Sequence, residues 1–290
     1  MSDQGGHDPE EGPDGTPSLP IYTVDAFSRE PFGGNPAAVC LLDSPRDAVM
    51  LQAVAREMNL SETAFVERPD PDSGLRRLRW FTPQAEVPLC GHATLATAHV
   101  LFQRDASSPL RFSTLSGVLE VWHEPDGRLC MDFPMDVPVP AAPSPELLDA
   151  LGLEAPPVES ARGSMSWVIR LADPDQVLAA RPDYRLLRDM DPGDGIVGLS
   201  LTAERPQGGI HSRFFAPWVG VDEDPVTGMA HTALAPFWAE RLGQAEIHAR
   251  QGLNRQGELI LRVHPPRVHL LGEAVTVVRG RIRIPESVPG

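Results

Sequence analysis

Three stretches hold residue types that can move a proton. Ser61-Glu62 follows a helix ending near Asn59 and leads into the apolar run Thr63-Ala-Phe-Val, so one side of Glu62 faces core. Desolvation there raises a carboxyl pKa toward neutrality, and a group titrating near neutral pH serves as both acid and base. Cys90-Gly91-His92 opens an alanine- and threonine-rich helix, where a neutral imidazole donates a hydrogen bond to a substrate oxygen. Asp222-Glu223-Asp224 crowd before Gly228, where another helix begins. Its first N–H groups lack intrahelical acceptors, and its positive dipole end favours a carboxylate or phosphate. Asp224 precedes a proline, so its backbone is extended. The plainer readings of the same residues are a solvated loop glutamate, a capping histidine and a capping aspartate.

The elements that position these residues follow from local pattern. The helix after Gly228 reads from Met229 to about Leu242, with Ala230, Ala233, Leu234, Phe237, Trp238 and Leu242 at helical spacing. It is apolar on most sides, as a helix enclosed by sheet is. A helix over Pro45–Met58 is expected to be capped by Ser44, and the helix after His92 covers Ala93–Gln103. Strands are expected at Pro20–Phe27, Pro36–Leu42, Thr63–Glu67, Arg76–Phe81, Arg111–Leu115, Val118–His123 and Arg128–Phe133. A second series covers Ser166–Leu171, Gly195–Leu201, Ile210–Phe215, Glu246–Arg250, Glu258–His264, Val268–Leu271, Val275–Val278 and Arg281–Ile284. Seven prolines between Pro134 and Pro157 mark a linker with one short helix, Pro145–Leu151. Residues 1–18, acidic and nearly devoid of apolar side chains, read as a disordered tail.

The chain repeats itself. Arg79-Trp-Phe-Thr-Pro83 matches Arg213-Phe-Phe-Ala-Pro217, and each leads through a polar loop to a glycine that starts a helix, Gly91 or Gly228. A strand opening at Gly117 or Gly257 follows at a similar distance. This is the pattern of a duplication, with two helix starts in equivalent places and a ligand between them.

Composition removes several functions. With 290 residues the chain has room for two cores. A net charge of −15 excludes a nucleic-acid footprint. There is no lysine, which excludes Schiff-base chemistry and a phosphate-loop lysine. Cys40, Cys90 and Cys130 are odd in number, far apart and set among apolar neighbours, as buried reduced thiols are. His99, His211 and His231 lack metal-ligand spacing, so no metal is expected. No signal peptide or membrane span is legible, and a cytoplasmic location is expected.

Gly33-Gly-Asn-Pro36, Asn59-Leu-Ser-Glu-Thr-Ala-Phe65, Pro88-Leu-Cys-Gly-His-Ala-Thr94 and Glu223-Asp-Pro-Val-Thr-Gly228 together resemble the phenazine-biosynthesis isomerase (PhzF-like) family, in register from about residue 20 to 285. The resemblance implies an α+β, diaminopimelate epimerase-like fold. Two pseudo-symmetric domains each wrap a curved, mostly antiparallel sheet or barrel around a central helix. The expected division is 19–133 plus about 275–288, and 134–274. It also implies cofactor-independent isomerisation, with the glutamate at Glu62 shuttling a proton on a cyclic diene acid, and His92 and Asp224 assisting. The namesake's substrate is trans-2,3-dihydro-3-hydroxyanthranilate. The substrate carboxylate is expected at the helix starts, at Gly91, Ala93, Thr227, Gly228, Met229 and Ala230. The family is commonly dimeric, so a homodimer is expected, with no nucleic-acid or membrane partner.

Two positions depart from the family pattern where hydroxyls are usual, Met229 and Leu253, and Gln256 stands where glycine is usual. Met229 is therefore expected to make the second helix start more apolar and to shift preference toward a less hydroxylated acid. Two rivals stand beside the isomerase. A two-thiol racemase needs a cysteine partner for Cys90, which the second loop lacks, and a non-catalytic acid-binding homologue is the other.

Overall fold

A computed structural model of the chain describes residues 17–104 and 106–285. Its elements are β1 (Ser18–Ala26), β2 (Asn35–Leu42), α1 (Ala48–Met58), β3 (Glu62–Pro69), β4 (Arg76–Phe81), β5 (Glu86–Val87), α2 (Gly91–Phe102), β6 (Leu110–Thr114), β7 (Gly117–His123) and β8 (Leu129–Pro134). The second half holds β9 (Val139–Pro140), α3 (Pro145–Ala150), β10 (Glu159–Arg162), β11 (Ser166–Arg170), α4 (Pro174–Ala179), α5 (Tyr184–Asp189), β12 (Gly198–Glu204) and β13 (Ile210–Ala216). It ends with β14 (Val221–Asp224), α6 (Gly228–Leu242), β15 (Glu246–Gln251), β16 (Gly257–His264), β17 (Arg267–Gly272) and β18 (Ala274–Arg283).

The pairing is the same in both halves. In the first, β1, β2, β3, β4, β6, β7 and β8 lie side by side, parallel at β2–β3 and β4–β6 and antiparallel elsewhere. In the second, β10, β11, β12, β13, β15, β16 and β17 repeat that order, parallel at β11–β12 and β13–β15. The halves meet edge to edge at β8–β17. Within the second half β9 pairs with β10, and β18 returns from it to pair along the length of β1 in the first.

Each half closes around one helix. Of the 12 residues of α2, all but His99 and Phe102 are buried. Small residues make this possible, because alanine and threonine let strands approach from every side. The Thr94 and Thr97 hydroxyls return to the carbonyls of Cys90 and Ala93, at 2.6 and 2.7 Å. α6 is enclosed in the same way but contains Pro236, which has no N–H to give. The Thr232 carbonyl left over accepts instead from the N–H of Asp136, in the segment that crosses from β8 to β9. The crossover is thus docked on the helix where proline breaks its ladder. α1 covers the outside of the first sheet, and α3, α4 and α5 cover the second.

Several local expectations are corrected. Asp47, not Ser44, caps α1; its carboxylate accepts from Met50 N at 2.8 Å and complements the helix dipole. The final two expected strands are one continuous β18, because pairing with β1 carries it through Gly280. The proline-rich segment holds β9 beside the foreseen α3, and β10, α4 and α5 were not legible. Of the expected tail, residues 1–16 lie outside the described residues, whereas Ser18 is buried in β1. The three cysteines are free and buried. No helix among the described residues is long and apolar enough to cross a membrane.

Candidate active site

Strand alternation and one left-handed residue place Glu62. Asn59 ends α1 with φ 49°, and the chain turns directly into β3. In β2 and β3, Ala37, Val39, Ala64 and Val66 belong to the cluster around α2, while Ala38, Cys40 and Phe65 face α1. Period two then puts Asn35 and Glu62 on the α2 side, next to His92 in its first turn. His92 Nε2 lies 3.2 Å from Glu62 Oε2, and Ser61 Oγ lies 3.4 Å from the same nitrogen. Cys90 Sγ is 3.6 Å from His92 Nδ1.

The second half brings Asp224 to this group through one side chain. The Asn35 amide is wholly buried and donates to Asp224 Oδ1 at 2.7 Å and to the Val226 carbonyl at 2.9 Å. The same nitrogen stands 3.3 Å from His92 Nδ1, and Ser61 Oγ donates to Asn35 Oδ1 at 3.3 Å. Glu62, His92 and Asp224, far apart in sequence, therefore form one buried polar chain.

The charges on this chain differ from the expectation for Glu62. Burial does push its carboxyl up, but the hydrogen bond and charge of His92, with Ser61 and Cys90, outweigh burial and leave it below the ordinary carboxylate range. His92 is opposed by burial yet held well above its ordinary value by facing the Cys90 sulfur and the Glu62 carboxylate. The shift runs toward the protonated ring, the opposite direction to the neutral imidazole expected from sequence. Burial, then the neighbouring Glu62 carboxylate, push the Cys90 thiol up. Asp224 is raised to about 6, chiefly by burial and against the pull of His92. The two carboxyl groups in this site are thus shifted in opposite directions, which separates their titrations.

Glu62, Cys90 and His92 have ligand atoms within 4.8 Å of one another, a grouping their spacing did not flag. Sulfur faces Nδ1 and the carboxylate faces Nε2, opposite edges of one ring, which is the geometry of a hydrogen-bond chain.

The two helix starts abut. A Cβ added to Gly91 would lie 3.0 Å from the Gly228 Cα, and the reverse holds for Gly228. Ala93 and Ala230 are fully buried and Thr227 nearly so. Met229 is half-buried in a cluster with Phe214, Ala216, Ala230 and Val221.

Residues that sequence reasoning passed over hold the halves together. Arg255 Nη2 bonds the buried Asp25 carboxylate at 2.7 Å and the Gly33 carbonyl at 2.6 Å, and its Nε reaches the Gly34 carbonyl at 3.1 Å. Gln256 contributes its carbonyl to Gly34 N at 2.8 Å. Asn35 sat in a family motif with no role given to its side chain, and Gln251 and Arg255 flank the departures at Leu253 and Gln256. Each is a long polar side chain at an interior position, which is the signal they offered.

Two like halves, each a sheet around an enclosed helix, meet where Glu62 and His92 stand 3.2 Å apart, residue types that can exchange a proton. Residues 24–280 match the family model for phenazine biosynthesis-like proteins, PhzC-PhzF. A Pseudomonas aeruginosa protein named as an uncharacterized isomerase is 47% identical over 268 residues, covering 92% of this chain and 99% of its own. The crystal structure of a PhzF family protein from Enterococcus faecalis superposes with a TM-score of 0.85 at 38% identity, covering 92% of this chain and all of that one. A predicted epimerase from Pseudomonas aeruginosa shares the fold, with a TM-score of 0.72 at 23% identity, covering 91% and 99%. The chain belongs to the phenazine biosynthesis-like (PhzF) family of isomerases.

Proposed function

We propose that the protein is a cofactor-independent isomerase that moves a proton between two carbons of a small unsaturated cyclic carboxylate, with Glu62 as acid and base. The observation that carries this reading is the 3.2 Å contact of Glu62 Oε2 with His92 Nε2 inside a polar chain that also includes Asp224. The Glu62 carboxylate takes a proton from a carbon next to the unsaturated system, and charge spreads onto the substrate's oxygen. His92 turns its Nε2–H from Glu62 to that oxygen. Glu62 is then left with burial as the dominant influence, which favours its protonated form and returns the proton to a second carbon. The substrate carboxylate sits at the unpaired N–H groups of the two abutting helix starts, at Gly91 and Ala93 and at Gly228, Met229 and Ala230.

A two-thiol racemase fits less well. Thr227 occupies the counterpart of Cys90 before the second helix, and its hydroxyl is engaged by Asp224 and Gln251. Turnover of trans-2,3-dihydro-3-hydroxyanthranilate and less hydroxylated cyclic acids in D2O tests the proposal. Solvent deuterium is expected at a ring carbon of the product, and Glu62→Gln is expected to lose about 10³-fold in rate or more. Turnover near wild type in that variant, or binding with no exchange, overturns it.

A further inference from the structure

Gln251 ends β15 with its side chain wholly inside the protein. Its Oε1 accepts the Thr227 N–H at 3.0 Å. That N–H stands at the start of α6, and the Thr227 side chain does not cap it. The Gln251 Nε2 donates to the Asp224 carbonyl at 2.9 Å and to Thr227 Oγ1 at 3.0 Å. One carboxamide thus closes the loop Asp224-Pro-Val-Thr227 on itself from a strand outside it.

The direction of these bonds matters more than their number. Thr227 Oγ1 has a lone pair occupied by the Gln251 amide, so its hydrogen is free for Asp224 Oδ2, 2.5 Å away. Chained donors polarise one another in a buried site, which strengthens the last bond of the series. The amide cannot be reversed without setting its oxygen against the Asp224 carbonyl and its NH₂ against the Thr227 N–H.

We propose that Gln251 is a positioning residue for the isomerase: acting through Thr227, it orients the hydroxyl that donates to Asp224 and so sets where Asp224 titrates. The proposal rests on the proton-transfer reading above for its consequence in turnover, but not for its effect on Asp224. Besides Thr227, the groups facing Asp224 are Asn35, His92 and Glu62 from the first half. With Gln251 removed, the Thr227 hydroxyl is free to rotate, the Asp224 carboxylate loses a donor, and its ionisation moves to higher pH.

The test is a ¹³C NMR titration of protein labelled at aspartate Cγ, with Asp224 assigned by its loss in Asp224→Asn. This needs no turnover, so failure of the isomerase reading leaves it intact. Gln251→Met is expected to raise the Asp224 midpoint by about one pH unit. Thr227→Val is expected to do the same, and the double variant to add little more, since the two act in series. In turnover, kcat is expected to fall about ten- to hundredfold in Gln251→Met, with KM changed less than about threefold. An Asp224 midpoint unmoved in folded Thr227→Val overturns the proposal, as does an additive shift in the double variant. Should Gln251→Met fail to fold, Thr227→Val alone decides whether the hydroxyl reaches Asp224.

Discussion

The two helix starts occupy equivalent places in a duplicated fold and have opposite chemistry. Glu62 opens β3 beside Ala37, and in the second half the same register places Gly198 at the opening of β12 beside Ser166. Where the first half projects a carboxylate, the second has no side chain, and a Cβ on Gly198 would meet the Phe214 ring at 2.3 Å. His92 follows Gly91, and its counterpart Met229 follows Gly228 and packs in the Phe214 cluster. A glutamate–histidine contact in one half is thus replaced by an apolar plug in the other. The second half contributes differently, through the Asp224 loop that reaches across to Asn35. Both halves enclose a helix start, and only the first sets a glutamate against a histidine there.

Making the first half resemble the second is the strongest test of this contrast. His92→Met is expected to lower turnover about 10²- to 10⁴-fold, the range of a lost proton-handling group. It also removes the partner that holds Glu62 low, so the Glu62 midpoint, followed by ¹³C NMR at the glutamate carboxyl, is expected to move upward. An unmoved midpoint would show that His92 does not set the charge of Glu62.

The abutment of the helices is mutual, so Gly91→Ala and Gly228→Ala should cost alike. Each places a methyl 3.0 Å from backbone that has no rotamer to yield. A loss of about 1–3 kcal/mol in denaturant unfolding is expected from overpacking, with about a hundredfold drop in turnover from displaced groups. Tolerance of either substitution would mean that the two starts separate freely.

Asp224 gives a pH signature. Its folded value, about 6, lies above the ordinary 3.8. The folded state therefore binds the extra proton between these values, and stability present below about pH 4 is lost as pH rises through about 6. In Asp224→Asn the fall in unfolding free energy between pH 4 and 7 should shrink by up to about 2 kcal/mol, since one unit corresponds to about 1.4 and the residue keeps some exposure to solvent. Urea unfolding at both pH values measures it. The Glu62 carboxyl, shifted the other way, contributes stability at neutral pH that disappears only as pH falls through its lowered value.

The smallest effect is expected at Met229. Its thioether packs on Phe214 and Ala216, so Met229→Ser should cost about 1–2 kcal/mol of stability through lost burial. The relative kcat/KM for hydroxylated and less hydroxylated acids should change by less than about tenfold. A larger shift toward the hydroxylated acid would place Met229 against substrate.

Much of this arrangement was legible locally. The aromatic-proline-glycine repeat located both enclosed helices, and the apolar run Thr63-Ala-Phe-Val put one side of Glu62 toward the core. Asn59 announced the turn that aims it. Helix periodicity and strand alternation are properties of neighbouring residues, so a single chain displays them. The sign of the Glu62 shift was not legible, because burial and the His92 ring 3.2 Å away oppose each other, and only their distance decides which wins. Asn35 and Gln251 were opaque for the same reason: an amide declares what it can donate and accept, but its partners lie 189 and 27 positions away in the chain. The sequence determined the two helix starts and their residues. The return of β18 to β1 and the clamp of Arg255 onto Asp25 decided which of those residues touch, because electrostatic and hydrogen-bond energies depend on separations that only the closed tertiary structure sets.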